Sequence, residues 1–238
     1  DIANKLAQGG GGMFSEGNGG PQALDALVQI GTAALSHWPG ETSLQKTAGF
    51  VLFPVLTRRK TLCKHLIAMP SWTTLRQAAA GAQRERGVVA FPPEVHRGLS
   101  ECIGRVTAVI DDPSACEAYA TDLISPAGEV LALVSVDHAG LHHPEGEARA
   151  CAALEALRGA VRATNGRSQA TIFNFFVSAI EHLLNLQNLA KDLARVTKLL
   201  LRLSEEFIEL NSPYLNAQQV DWICRYCLRV IETYATSG

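Results

Sequence analysis

Apolar residues recur along most of this 238-residue chain at three- to four-residue spacing, the pattern of helices that each bury one face. Leu24, Leu27, Val28, Ala34 and Leu35 set the first helix, after Pro21 and ending near Trp38-Pro39-Gly40. A second runs from Ser43 to about Lys60, with Ala48, Val51, Leu52 and Val55 on one side, and Pro54 inside it predicts a kink or early break. Leu62, Leu66 and Ile67 continue to Met69-Pro70, where Ser71 is placed to cap a helix from Trp72 to about Gln83. The stretch Gly81 to Pro93 reads as turn, and Pro92-Pro93 restarts a helix over Glu94 to Ile110. Asp112-Pro113 opens a short helix to Ile124, and Pro126 opens another over Gly128 to Val136. The run Leu-Ala-Leu-Val-Ser-Val in that piece would also suit a strand, but with no partner strand nearby it is read as helix.

His138 to Pro144 follows as a loop, and Glu147 to Thr164 as a helix stopped by Asn165-Gly166. Ile172, Phe176, Ile180 and Leu183 mark the next face. Leu189, Leu193, Val196, Leu200, Leu203, Phe207 and Leu210 mark another, with a break inferred between Leu186 and Lys191. Asn211-Ser212-Pro213 ends it. Gln218 to Tyr234 forms the last helix, with Val220, Ile223, Cys224, Cys227 and Ile231 expected inward.

About ten helices with no credible sheet make the chain all-α. A closed bundle and an open stack of antiparallel helix pairs both satisfy that count. Two consecutive helices span about 40 residues, a length that suits HEAT-type repeats. The reading adopted is an α-solenoid of antiparallel pairs (HEAT/ARM-type) over 21–238, about five pairs, after a flexible Gly-rich segment 1–20. Seven of the 20 Gly fall in those first residues. Neither a preceding strand nor a following Lys-Ser/Thr accompanies that run, which removes the phosphate-loop alternative.

Ala and Leu fill roughly a quarter of the chain, which favours helix. The 21 Lys and Arg against 23 Asp and Glu exclude an ordinary, strongly basic nucleic-acid binder. Six irregularly spaced Cys do not read as a disulfide framework, so a reducing compartment is expected. No apolar run approaches the roughly 18 residues of a membrane helix, so no membrane insertion is expected. The chain starts at Asp1 rather than Met and is read as a piece of something longer.

Candidate chemistry is sparse. Cys224-Arg225-Tyr226-Cys227 is a single C-x-x-C within a helix; without a second pair it reads as two inward core positions rather than a zinc site. His138, His142 and His143, near Glu145 and Glu147, read as solvated loop histidines or, less simply, as part of a metal site. Asp111-Asp112 and Glu205-Glu206 sit where helix starts and faces carry charge anyway. No catalytic constellation and no cofactor motif emerges. Arg58-Arg59-Lys60, with Lys64 and His65 one turn on, is the single basic cluster: either a solvated helix end whose cations face the negative end of the helix dipole, or a dock for an acidic partner.

From Leu35 to Tyr234 the chain resembles the later half of the exportin-4 family of nuclear transport receptors, in the importin-β superfamily. The resemblance rests on Leu35-Ser36-His37-Trp38, Thr57-Arg58-Arg59-Lys60, Ser71-Trp72-Thr73-Thr74-Leu75 and Tyr119 to Pro126. It continues over Ala153-Leu154-Glu155-Ala156-Leu157, Ala163-Thr164, Ile172-Phe173-Asn174-Phe175, Tyr214 and Tyr226-Cys227-Leu228. It implies a non-enzymatic receptor that binds protein cargo, such as a hypusine-bearing translation factor, together with Ran-GTP. Such a receptor meets nucleoporins and shuttles between nucleus and cytoplasm. The family's main Ran site lies in earlier repeats than those resembled here, so only Arg58 and Arg59 are carried over as partner-binding residues. The alternative is a general HEAT-repeat interaction scaffold outside transport.

Overall fold

The chain begins its described structure with α1 (Gly20–Ser36), which buries Leu24, Val28 and Leu35 along one face. The computed structural model describes residues 20–38, 40–84 and 91–235. The Gly-rich tether expected over 1–20 lies outside these residues except for Gly20, which is already helical. Gly40, at φ 92°, takes the left-handed turn into α2 (Thr42–Thr47).

α2 runs without a break through a π-helical segment, Ala48–Leu52, into α3 (Phe53–Thr57). The expected kink at Pro54 therefore takes the form of a widened turn. Proline has no N–H for an i→i−4 bond and its ring crowds that carbonyl. The register change falls just before it, where the Phe53 N–H reaches back to the Ala48 carbonyl. The helix then stops at Arg58, two residues earlier than expected, and α4 (Lys60–Ile67) begins.

α5 (Pro70–Arg84) starts on its proline, so Ser71 lies inside the helix instead of capping it. The Ser71 hydroxyl donates across to the Asp25 carboxylate of α1. Gly81, expected in a turn, is helical within α5, and the rest of that turn, 85–90, lies outside the described residues. α6 (Pro93–Arg105) ends in a 3₁₀ turn, Val106–Val109.

α7 (Pro113–Val134) is one helix where two were expected. Asp112 caps it by accepting from the Ala115 N–H at 3.0 Å, and it passes straight through Pro126. An interior proline costs about 3 kcal/mol in a helix. Here it is offset by burial on both sides of it, at Ile124, Ala127, Val130 and Leu131. The Leu-Ala-Leu-Val stretch is helical, as read. Part of the expected loop after it is a single turn, α8 (His138–Leu141), capped by the Asp137 carboxylate on the Gly140 N–H at 2.8 Å.

α9 (Pro144–Arg162), α10 (Gln169–Leu189), α11 (Ala194–Asn211) and α12 (Ala217–Ala235) complete the chain, with a 3₁₀ turn at Ser212–Tyr214. Among the described residues there is no strand, and the molecule is all-helical.

Contacts run along two series of helices. In one, α1 packs on α5, α5 on α7, α7 on α10 and α10 on α12. In the other, α3 and the π segment pack on α6, α6 on α9 and α9 on α11. The apolar interior divides in the same sense. One cluster gathers residues from Leu24 to Tyr119 and the other from Ile124 to Ile223, with Leu123 touching both. α6 and α9 approach each other closely. A Cβ on Gly159 would stand 2.2 Å from the Arg97 carbonyl oxygen, so glycine is what lets those backbones meet.

Candidate interaction surfaces

Arg58 and Arg59 form the corner between α3 and α4. Arg58 keeps helical backbone angles, while Arg59 is extended (φ −109°, ψ 129°) and turns the chain into α4. That places Arg58, Arg59, Lys60 and, one turn on, Lys64 in solvent, above the buried Leu62, Cys63 and Leu66. The corner is pinned from beneath. The Thr57 hydroxyl donates to the Phe53 carbonyl at 2.9 Å, and the Cys63 thiol donates to the Thr57 carbonyl at 3.4 Å. Among the described residues no carboxylate pairs with Arg58, Arg59, Lys60 or Lys64. The basic cluster of the sequence is thus one continuous exposed surface on a fixed turn.

Several cations elsewhere have partners. Lys46 meets Glu94 at 2.8 Å, Arg84 meets Glu129 at 2.7 Å and Arg229 meets Glu181 at 2.7 Å. Arg76 lies 3.8 Å above the Tyr119 ring and reaches Asp122 at 3.3 Å. Tyr119 is itself held by the Trp72 indole N–H, which donates to its hydroxyl at 2.9 Å. Arg76 and Arg84 flank a cleft of about 260 Å³ between α5, α6 and α7, so the charge lining that cleft is already balanced.

A larger network, one that sequence reading did not find, crosses α6, α9 and α11. Arg158, 3% exposed, donates through Nε (3.0 Å) and Nη2 (2.6 Å) to the two oxygens of Glu206, and through Nη1 to Glu155 at 3.0 Å. Arg162 links Glu101 at 3.0 Å to Glu206 at 3.3 Å, and Arg97 approaches Glu155 at 3.6 Å. Burial pushes the Glu155 carboxyl upward, while Arg158 and Arg97 oppose the shift. Glu205-Glu206 therefore is not the simple surface pair expected: Glu205 is exposed, but Glu206 reaches inward to α9. Pairing at i and i+48 between helices leaves no local pattern to read.

The histidine cluster is split by the structure. His138 and His142 stack at 4.3 Å, and His142 Nε2 reaches Asp192, in the turn before α11, at 2.9 Å. That hydrogen bond raises the His142 pKa and lowers that of Asp192. Among the described residues no three His, Cys, Asp or Glu side chains group as metal ligands would. A histidine that sequence reading passed over is His96, buried beside Phe91 with neither ring nitrogen hydrogen-bonded, whose pKa desolvation pushes down to about 4.

Of the C-x-x-C pair, Cys227 is half-buried and Cys224 is exposed, so the expectation that both point inward is wrong for Cys224. Val220 and Ile231 are exposed as well, and the buried positions of α12 are Ile223 and Tyr226, flanked by Trp222. The helix carries two adjacent apolar stripes, and α10 and α11 cover the one centred on Ile223. The four thiols away from α12, at Cys63, Cys102, Cys116 and Cys151, are buried, and burial raises each of their pKa values.

Among the described residues no helix is long and apolar enough to cross a membrane. No protein-family model, curated protein or solved structure matches this chain.

Proposed function

We propose that this chain is a stretch of α-solenoid, built from antiparallel HEAT/ARM-type helix pairs, that serves a nuclear transport receptor of the exportin kind. It contributes a protein-binding surface to a receptor that carries protein cargo with Ran-GTP out of the nucleus. The observation that carries the architecture is the recurrence of side-chain links between neighbouring helices of one series. Asp25–Ser71 and Arg76–Asp122 each span 46 residues, Ser135–His182 spans 47, and Glu181–Arg229 and Arg158–Glu206 each span 48. A constant offset means each pair of helices meets its successor in the same way, at a spacing close to that of HEAT and armadillo units. The α6–α9 step is longer because α8 and its turns are inserted before α9. The division of the core into two clusters that meet at Leu123 supports the same reading over a closed bundle.

The transport role rests on the resemblance along Leu35 to Tyr234. Its test is co-precipitation with hydrolysis-locked Ran, using this chain and the product of its complete coding sequence. Capture of Ran-GTP but not Ran-GDP by the complete product is the expected result. Equal capture of both forms, or of neither, removes transport and leaves a general interaction scaffold.

A further inference from the structure

The charges of this protein are segregated. Residues 42 to 84 hold seven of the 21 Lys and Arg and none of the 23 Asp and Glu, so the remainder carries 14 cations against 23 anions. Three of the seven are matched by carboxylates from elsewhere in the chain: Lys46 by Glu94, Arg76 by Asp122 and Arg84 by Glu129. Among the described residues the four without such a match are Arg58, Arg59, Lys60 and Lys64, and all four stand exposed at the α3–α4 corner.

We propose that this corner is a docking site for a short carboxylate-rich segment of a partner protein. The inference rests on the reading of the chain as an interaction scaffold, but not on transport. Unscreened like charges repel, so four of them within seven residues cost stability unless an anion from outside completes the set. From the corner to Lys64 the cations cover roughly 10 Å, at about 1.5 Å per residue over the helical part and about 3.3 Å for the extended Arg59. Three extended residues at about 3.3 Å each span that length. Each of the two guanidinium groups presents a planar fork that grips a carboxylate bidentately. Nucleic acid is disfavoured by the rest of the surface, because a long polyanion leaving the corner meets the excess of 23 anions over 14 cations. Asp and Glu in a short segment need contact nothing beyond it.

The test is fluorescence polarisation of a labelled peptide with a run of Glu residues between Gly and Ser, at about 50 mM salt. A labelled single-stranded oligonucleotide of the same charge serves as the competing probe. The peptide is expected to bind, and Arg58→Glu/Arg59→Glu to weaken it at least about tenfold with an unchanged melting curve. Lys60→Gln/Lys64→Gln tests the same surface should the reversal disturb folding, and a several-fold loss is expected there. Arg202→Glu, at an exposed site on α11, should leave peptide affinity within about twofold. Unchanged peptide affinity in both corner variants, equal or tighter binding of the oligonucleotide, or no binding at low salt each overturns the proposal. Those outcomes are separate from Ran capture, which uses no acidic peptide and can fail while the corner still binds.

Discussion

α9 and α12 have the same length, 19 residues, and opposite surroundings. α9 is enclosed by α6, α7 and α11, and every residue from Ala150 to Val161 is buried. Ala is its commonest residue, at six of 19 positions, and Ala costs no side-chain entropy and lets neighbouring helices approach. Yet it carries Glu155 and Arg158 into that interior. α12 meets α10 and α11 on one side only and leaves Val220, Leu228 and Ile231 46%, 59% and 62% exposed on the other. Charge sits inside the enclosed helix and apolar side chains sit outside the edge helix. Residue type therefore does not fix burial here; the number of neighbouring helices does. Inside, a charge is tolerated because helices on either side answer it.

The largest expected effect tests that answer. Arg158→Met keeps bulk but leaves Glu155 and Glu206 buried without their shared cation, which should cost about 3–5 kcal/mol. A thermal melt should shift down by about 6–20 °C in a chain of this size. Arg225→Met on α12 removes a guanidinium that is 70% exposed and paired with Asp221 one turn away. Its cost should stay below about 0.5 kcal/mol. Equal losses would erase the contrast between enclosed and edge helix.

Next in size is a pH effect, again opposed between interior and surface. His96, on the helix that α9 packs against, has its folded pKa lowered by desolvation from 6.5 to about 4. Below pH 6.5 the unfolded chain binds a proton that the native imidazole refuses. Stability should therefore fall as pH drops from about 6.5 to about 4, by up to about 3 kcal/mol. His142 has the opposite sign. Its hydrogen bond to Asp192 raises its pKa, so its contribution is present at low pH and lost as pH rises through the raised value. Urea melts across this range should show a slope that His96→Leu flattens and His142→Gln leaves nearly intact. A slope that survives His96→Leu would assign the acid sensitivity to other groups.

A third contrast lies within α12 itself. Ile223→Ala opens a cavity beneath α10 and α11 and should cost about 2–4 kcal/mol. Leu228→Ala, five residues on, removes a side chain already in water and should cost less than about 0.5 kcal/mol. Denaturant titrations of the two variants read this directly. The two values converging would mean that α12 is covered on both sides in solution.

This helix also shows where sequence reading stops. Val220, Cys224, Cys227 and Ile231 fit a buried heptad as well as Ile223, Tyr226 and Val230 do, and only the positions of α10 and α11 select between them. Helix type and approximate bounds were legible wherever apolar spacing and end signals agreed, as over α9 and α10. Pro126 misled because a proline normally ends a helix, and its toleration depends on burial that no local pattern encodes. Ser71 misled for a related reason, since its hydroxyl is taken by Asp25, 46 residues away. Of the candidate surfaces, Arg58-Arg59-Lys60 was visible as a charge run because it is local in sequence. The Arg158 network was invisible because its members meet across three helices.

The smallest expected effect concerns that local charge run, which breaks the rule set by α9 in the other direction. Arg158 is buried and answered; Arg58 and Arg59 are exposed and no carboxylate of the described chain pairs with them. If the corner is kept for a partner rather than for the fold, removing its charge should help the free protein. Arg58→Gln/Arg59→Gln should raise stability by a few tenths of a kcal/mol at about 20 mM salt, by relieving repulsion with Lys60 and Lys64. The gain should vanish above about 0.5 M salt, where the screening length is only a few Å. Paired denaturant titrations at the two salt concentrations measure it. A loss of stability at low salt would show that these cations serve the native fold through partners of their own, and would place the corner with Arg158 rather than against it.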